Sequence, residues 1–189
     1  MKKVLRIGIA VICMVALVVG YYAYLSHRND QVNADDNVEL SEVQAILSKD
    51  FQKDYPVTAR SVVKWYNRII KAYYDQEYSD EELEAMADQA RCLLDDELLS
   101  YNPKDVYLSS LKLEIADYKN RKRTIVSSSV SDSKEVQYKT VKGDECAFVQ
   151  TYYFVREGSS YTRTYEEFCL RKDENGDWKI LAWQLSSED

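Results

Sequence analysis

Histidine is nearly missing from this 189-residue chain: His27 is the only one, and it precedes the segment expected to fold. A serine or cysteine nucleophile therefore has no imidazole to activate it, and a mixed cysteine/histidine zinc site has no nitrogen ligand. Cysteine is also scarce. Cys13, Cys92, Cys146 and Cys169 include no C-x-x-C pair, so the paired thiolates of a structural zinc site cannot be assembled. No metal and no cofactor is expected. Five glycines and two prolines leave no glycine-rich phosphate loop and no G-x-S-x-G element, which removes the kinase and hydrolase readings. Clustered positive charge is lacking as well. The chain carries a formal net charge of −7, and because Lys2, Lys3 and Arg6 precede every acidic residue, the part after Leu25 is more negative still, at about −10. Nucleic acid is thereby excluded as a partner, since phosphate binding depends on grouped Lys and Arg. The one basic run, Lys119 to Arg123, reads as the dipole-favoured end of a helix.

What the sequence does contain is an uncharged apolar run from Ile7 to Leu25. As a helix at about 1.5 Å per residue it spans roughly 28 Å, close to the roughly 30 Å hydrocarbon core of a bilayer. Lys2, Lys3 and Arg6 before it, against Arg28 after it, place the N-terminus in the cytoplasm, with Tyr21, Tyr22 and Tyr24 at the outer interface. The run is too long for a cleaved signal peptide, and Ile12 before Cys13 does not suit a lipid-modification site. The expected organisation is a transmembrane anchor over 1–25, a polar stalk over 26–40 and one extracytoplasmic domain over 41–187, in the cell membrane with the C-terminal domain outside.

Within that domain apolar residues first recur at helical spacing. Ser41 with Gln44 and Ser79 with Glu82 have capping-box spacing and open two helices. Between them a helix over about 58–76 carries Val62, Val63, Tyr66, Ile69, Ile70, Tyr73 and Tyr74 on one face. The helix from Ser79 is expected to run to Leu98 with Cys92 pointing away from its packing face, and a further helix from Asn102-Pro103 reaches about Asn120. From Thr124 the period changes to two and β-branched and aromatic residues take over. Strands are expected over 124–130, 134–141, 145–156, 161–172 and 178–185, with Asn175-Gly176 marking the last hairpin. The fold class is α+β: three to four helices on a curved antiparallel sheet of four to five strands, arranged as a meander.

Few constellations carry chemistry. Asp173, Asn175 and Asp177 flank Gly176, but the glycine and terminal glutamate of a calcium loop are out of place, and the hairpin reading is preferred. Cys146 and Cys169 lie on consecutive strands. A turn centred between Glu157 and Gly158 sets them opposite each other at bridging distance, whereas a turn one or two residues later leaves two separate thiols. The catalytic candidates are Glu166 and Glu167 with Tyr165, because strand alternation sends one of the two glutamates to the covered face, where burial raises a carboxyl pKa. Thirteen tyrosines from Tyr55 onward, with Trp65, Trp178 and Trp183, suit a sugar or peptide site as well as a filled core.

The closing strand Trp178 to Leu185, after an acidic Asn-Gly hairpin and the strand Tyr165-Glu166-Glu167-Phe168-Cys169-Leu170, resembles the terminal hairpin of the nuclear transport factor 2-like superfamily. That resemblance implies a cone-shaped sheet wrapped around helices with a pocket at its wide end. It departs from the superfamily in lacking a strand between Ser79 and Asn120. The anchor together with residues 62–99 also resembles uncharacterised single-pass membrane-anchored proteins of Gram-positive bacteria. The dehydratase pattern of the superfamily needs a histidine this domain lacks. The expected function is therefore a non-catalytic binding or assembly module with a protein partner, a small ligand or a second copy of itself. The alternatives are a pocket isomerase or lyase using a carboxylate and a tyrosine, and a structural component of the cell envelope.

Overall fold

The structure, a computed structural model, describes residues 40–187. The expected anchor and nearly all of the stalk lie outside the described residues, and no described helix is long and apolar enough to cross a membrane.

Five helices precede five strands: α1 (Glu42–Leu47), α2 (Ala59–Asp75), α3 (Asp80–Arg91), α4 (Asp96–Tyr101), α5 (Lys104–Asn120), β1 (Arg123–Val130), β2 (Gln137–Val141), β3 (Asp144–Glu157), β4 (Ser160–Lys172) and β5 (Trp178–Ser186). Reciprocal capping boxes at Ser41/Gln44, Thr58/Ser61 and Ser79/Glu82 satisfy the orphan N–H groups that start α1, α2 and α3. α2 is the central element. Val62, Val63, Tyr66, Ile69 and Tyr73 are buried along it, against Ala147, Val149, Phe168, Leu170 and Ile180 of the sheet and Leu83, Met86 and Ala90 of α3.

Two expectations about the helices are corrected. α3 ends at Arg91 instead of continuing to Leu98, and a separate short helix, α4, follows. The chain is diverted because Leu93 and Asp95 pair with β5: Ile180 N–H donates to Leu93 O at 2.8 Å and Asp95 N–H donates to Ile180 O at 2.8 Å. Asp95 then caps α4 through its side chain and forms a part-buried bidentate ion pair with Arg171 at 2.6 and 3.1 Å. The second correction concerns Asn102, which closes α4 instead of capping α5; its amide donates to Leu98 O, and Pro103 takes the cap position.

The sheet is antiparallel and open, in the order β1-β3-β4-β5, with β2 also paired to β3. It is not the simple meander expected. β1 lies along the C-terminal half of β3 and β2 along the N-terminal half, so the two share one edge. Arg60 of α2 fixes the break between them by donating to Ser131 O at 2.6 Å and Val130 O at 3.3 Å. The β2–β3 turn is Lys142-Gly143, both at positive φ, as a two-residue hairpin demands. The Asn-Gly hairpin is wider than two residues. Gly176 N–H donates to Asp173 O, and Asp173 N–H to Asp177 O, around a three-residue loop with Gly176 left-handed. Asp173 Oδ1 spends its lone pairs on the backbone N–H groups of Asn175 and Asp177, at 2.9 Å each.

Candidate functional site

Beyond its most buried row, α2 carries Ile70 and Tyr74, one turn apart, at its junction with α5. α5 faces them with Glu114 and Tyr118, also one turn apart, and the rings of Tyr74 and Tyr118 stack at 4.0 Å between centroids. Ile125 of β1, Tyr153 and Val155 of β3, Thr164 and Glu166 of β4 and Trp183 of β5 close the other side. Together with Tyr66 these residues line an open-mouthed cavity of about 200 Å³. No lysine or arginine lines it.

A buried hydrogen-bond relay ties down the cavity floor. Tyr153 donates its hydroxyl to Asn67 Oδ1 at 2.5 Å, Asn67 Nδ2 donates to Thr151 Oγ1 at 2.7 Å, and Thr151 donates to Ser129 O at 2.7 Å. Asn67 is 2% exposed, so this relay gives each of its side-chain groups a partner in a place water does not reach. Tyr66 is held edge-on to Phe168 at 5.7 Å and tilted against Trp183 at 5.8 Å.

Glu166 is the anomalous group. Burial, and after it the nearby Glu114 carboxylate, push its pKa up to about 7. Among the described residues it has no hydrogen-bond or ion-pair partner, and Glu114 has no ion pair. Burial is also the first cause holding the phenols of Tyr66, Tyr74, Tyr118 and Tyr153 protonated, with the Glu114 carboxylate adding to it at Tyr74 and Tyr118.

The structure separates the residues singled out in the sequence. Glu166 shares the core face of β4 with Phe168 and Leu170 and reaches the cavity; Glu167 points to the opposite face, paired with Gln150 and Gln184. Tyr165 shares that outer face, beside Tyr152 at 5.9 Å, and does not belong to the site. Cys146 and Cys169 are free thiols, because the β3–β4 turn centres on Gly158-Ser159 and pairs Cys146 with Arg171 and Phe148 with Cys169. The thiols are diagonal neighbours, and burial, then Cys146, raises the pKa of Cys169. Cys92, the C-cap of α3, is free and exposed. Among the described residues no group of three or more His, Cys, Asp or Glu side chains is disposed to hold a metal ion.

Sequence reasoning missed Glu114 as a neighbour of Glu166, and it did not single out Tyr66 and Tyr74 from the other tyrosines that suit a binding site or a filled core alike. The signal available was the i, i+4 pair Glu114/Tyr118 on a helix whose apolar stripe is narrow. A family model described as a domain of unknown function, DUF6715, matches residues 1–183. The chain belongs to the DUF6715 family. No curated protein matches it. In this DUF6715 chain the cavity sets rings at the walls, two carboxylates with no lysine or arginine in the described lining, and a phenol fixed in place by Asn67.

Proposed function

We propose that this protein is a single-pass membrane-anchored, extracytoplasmic binding module, non-catalytic, that receives its ligand or partner in the cavity between α2, α5 and the sheet. The observation that carries the reading is Glu166: a carboxylate that has no internal partner among the described residues, on an aromatic-lined cavity open to solvent. A protein that kept this cavity only for packing would gain stability from an apolar residue there. The apolar run 7–25 and its basic N-terminal flank support the anchor and the outside placement of the domain. A helix laid on an antiparallel sheet with a pocket at their junction also supports the likeness to the nuclear transport factor 2-like superfamily. The likeness is limited to that arrangement, because no described strand other than an isolated bridge at Leu94 lies between Ser79 and Asn120.

The test uses the full chain in intact cells with a photo-crosslinking amino acid at Thr164 in the cavity or at Val57, which is exposed elsewhere. Protease added to whole cells should remove the domain, and position 164 should give a crosslinked product that position 57 does not. Protection from protease overturns the topology, and identical products at both positions overturn the cavity as the binding site.

One observation favours the catalytic alternative. A carboxyl titrating at about 7 is suited to general-base work. Against it, the Tyr153 hydroxyl is already committed to Asn67 and that of Tyr74 faces Glu114. The alternative requires deuterium exchange from solvent into a carbonyl compound by the purified chain, lost in Glu166→Gln; no exchange across a panel of such compounds removes it.

A further inference from the structure

We propose that the cavity receives an organic ammonium group, a protonated or quaternary amine on a small apolar body, held between the aromatic walls and the carboxylates of Glu114 and Glu166. The inference rests on the binding reading above and names its ligand class.

Three features of the site converge on that chemistry. The rings of Tyr66, Tyr74 and Trp183 line the cavity, and aromatic faces attract a cation stripped of part of its water; Tyr118, stacked on Tyr74 at 4.0 Å, already carries the Arg123 guanidinium over its ring at 5.6 Å. Two carboxylates stand among those rings, with no lysine or arginine in the lining and no ion-pair partner among the described residues. Apart from the Thr164 hydroxyl, the other groups lining the cavity with Glu166 and Glu114 are phenols held protonated, Tyr66, Tyr74, Tyr118 and Tyr153, or apolar side chains such as Ile125 and Trp183. An anion would meet like charge, and a neutral apolar solute would leave Glu166 desolvated and unpaired. The chain's net charge of −7 also draws cations toward it.

Size narrows the class. About 200 Å³ is below the roughly 300–1,000 Å³ of sites for drug-sized ligands, so the seated group is a small one, such as choline. A cation entering beside Glu166 favours its ionised form, so binding below pH 7 must expel a proton. With a pKa of about 7, about one Glu166 in eleven is ionised at pH 6 and ten in eleven at pH 8, which sets a roughly tenfold tightening over that range.

The experiment titrates the full chain in non-ionic detergent with choline, with 3-methylbutylammonium and with 3,3-dimethylbutan-1-ol, the uncharged counterpart of choline, following tryptophan fluorescence through Trp183. Saturable binding of either ammonium ion in the millimolar range is expected, with the alcohol at least about tenfold weaker. Comparison of the two ions tells a quaternary from a primary ammonium group. Glu166→Gln should bring the preferred ion down to the level of the alcohol, and Glu167→Gln, on the opposite face, should not. Equal binding of the alcohol and the ions overturns the inference but leaves a cavity that binds. No saturation by either ion up to about 100 mM overturns it too, and the crosslink at Thr164 then decides the binding reading separately. An equal loss in Glu167→Gln assigns the effect to surface charge and overturns the inference. Should Glu166→Gln fail to fold, the unaltered chain decides: tightening from pH 6 to pH 8 supports the assignment, and a flat profile refutes it.

Discussion

Replacing Glu166 by glutamine should make the protein more stable at pH 8 than at pH 4.5, relative to the unaltered chain. Glu166 titrates near 4.5 when unfolded and at about 7 when folded, so between those values the folded state holds a proton that the unfolded state has released. Stability then falls as pH rises through that window, because the slope follows the difference in bound protons and the native state binds more. The contribution is intact below about 4.5 and is lost above about 7. The full displacement corresponds to roughly 3 kcal/mol at about 1.4 kcal/mol per pK unit. Glu166 is only part-buried at an open cavity, so solvent screening reduces this to about 1.5 kcal/mol. Glutamine keeps the shape and cannot ionise. Urea unfolding of both proteins at pH 4.5 and pH 8 should therefore give a difference in unfolding free energy that grows by about 1.5 kcal/mol in favour of Glu166→Gln. Carboxylates distant from Glu166, such as Glu42 held low by its hydrogen bonds to Arg68, cancel in the comparison. A difference constant with pH to within about 0.3 kcal/mol would refute the account of Glu166 as a carboxylate desolvated without a partner.

Asn67→Ala should cost about 2–3 kcal/mol in chemical denaturation, since it orphans both the Tyr153 hydroxyl and one contact of Thr151 in a buried place; a loss below about 1 kcal/mol would mean water replaces the amide. Asp95→Asn should cost about 2 kcal/mol, less than the 3–5 kcal/mol usual for breaking a buried ion pair, because Arg171 keeps Glu97 at 3.1 Å and Asp144 at 3.4 Å. Peptide mapping after brief alkylation of the native protein should find Cys92 modified before Cys146, as their exposures differ; the reverse order would contradict the register of β3.

Elements whose ends are fixed locally were legible in the sequence. Ser41 and Ser79 start α1 and α3 where their capping boxes stand, and the boundaries of the five strands fall within a few residues of those expected from period two. The errors arise where a distant segment intervenes. Leu94 and Leu98 continue the stripe of α3 at helical spacing, yet the chain leaves the helix because Leu93 and Asp95 are claimed by Ile180. β2 reads as the next strand of a meander, yet Arg60 of α2 holds the carbonyls at the end of β1, and the strand after it resumes along β3. The thiols miss each other by one step of the turn, which no pattern within β3 or β4 fixes.

The cavity was the least legible part because two of its walls depend on breaks in alternation. Counting by twos from the buried Trp178 and Ile180 puts Ala182 and Gln184 on the core face and Trp183 outside. Leu181 is an extra residue opposite the Cys169-Leu170 step, and this bulge reverses the parity, so that Trp183 turns inward and stacks on Phe168 at 5.9 Å. In β1, Val126 is likewise extra, and it lets Ile125 face the cavity opposite Val155 although Ser128 and Val130 also face the core. Without the two bulges, alternation turns Trp183 and Ile125 away from Glu166 and opens that carboxylate to water. Glu166 is exceptional not for its position in β4, which period two predicts, but for the neighbours that irregular strands and the polar side of α5 bring to it.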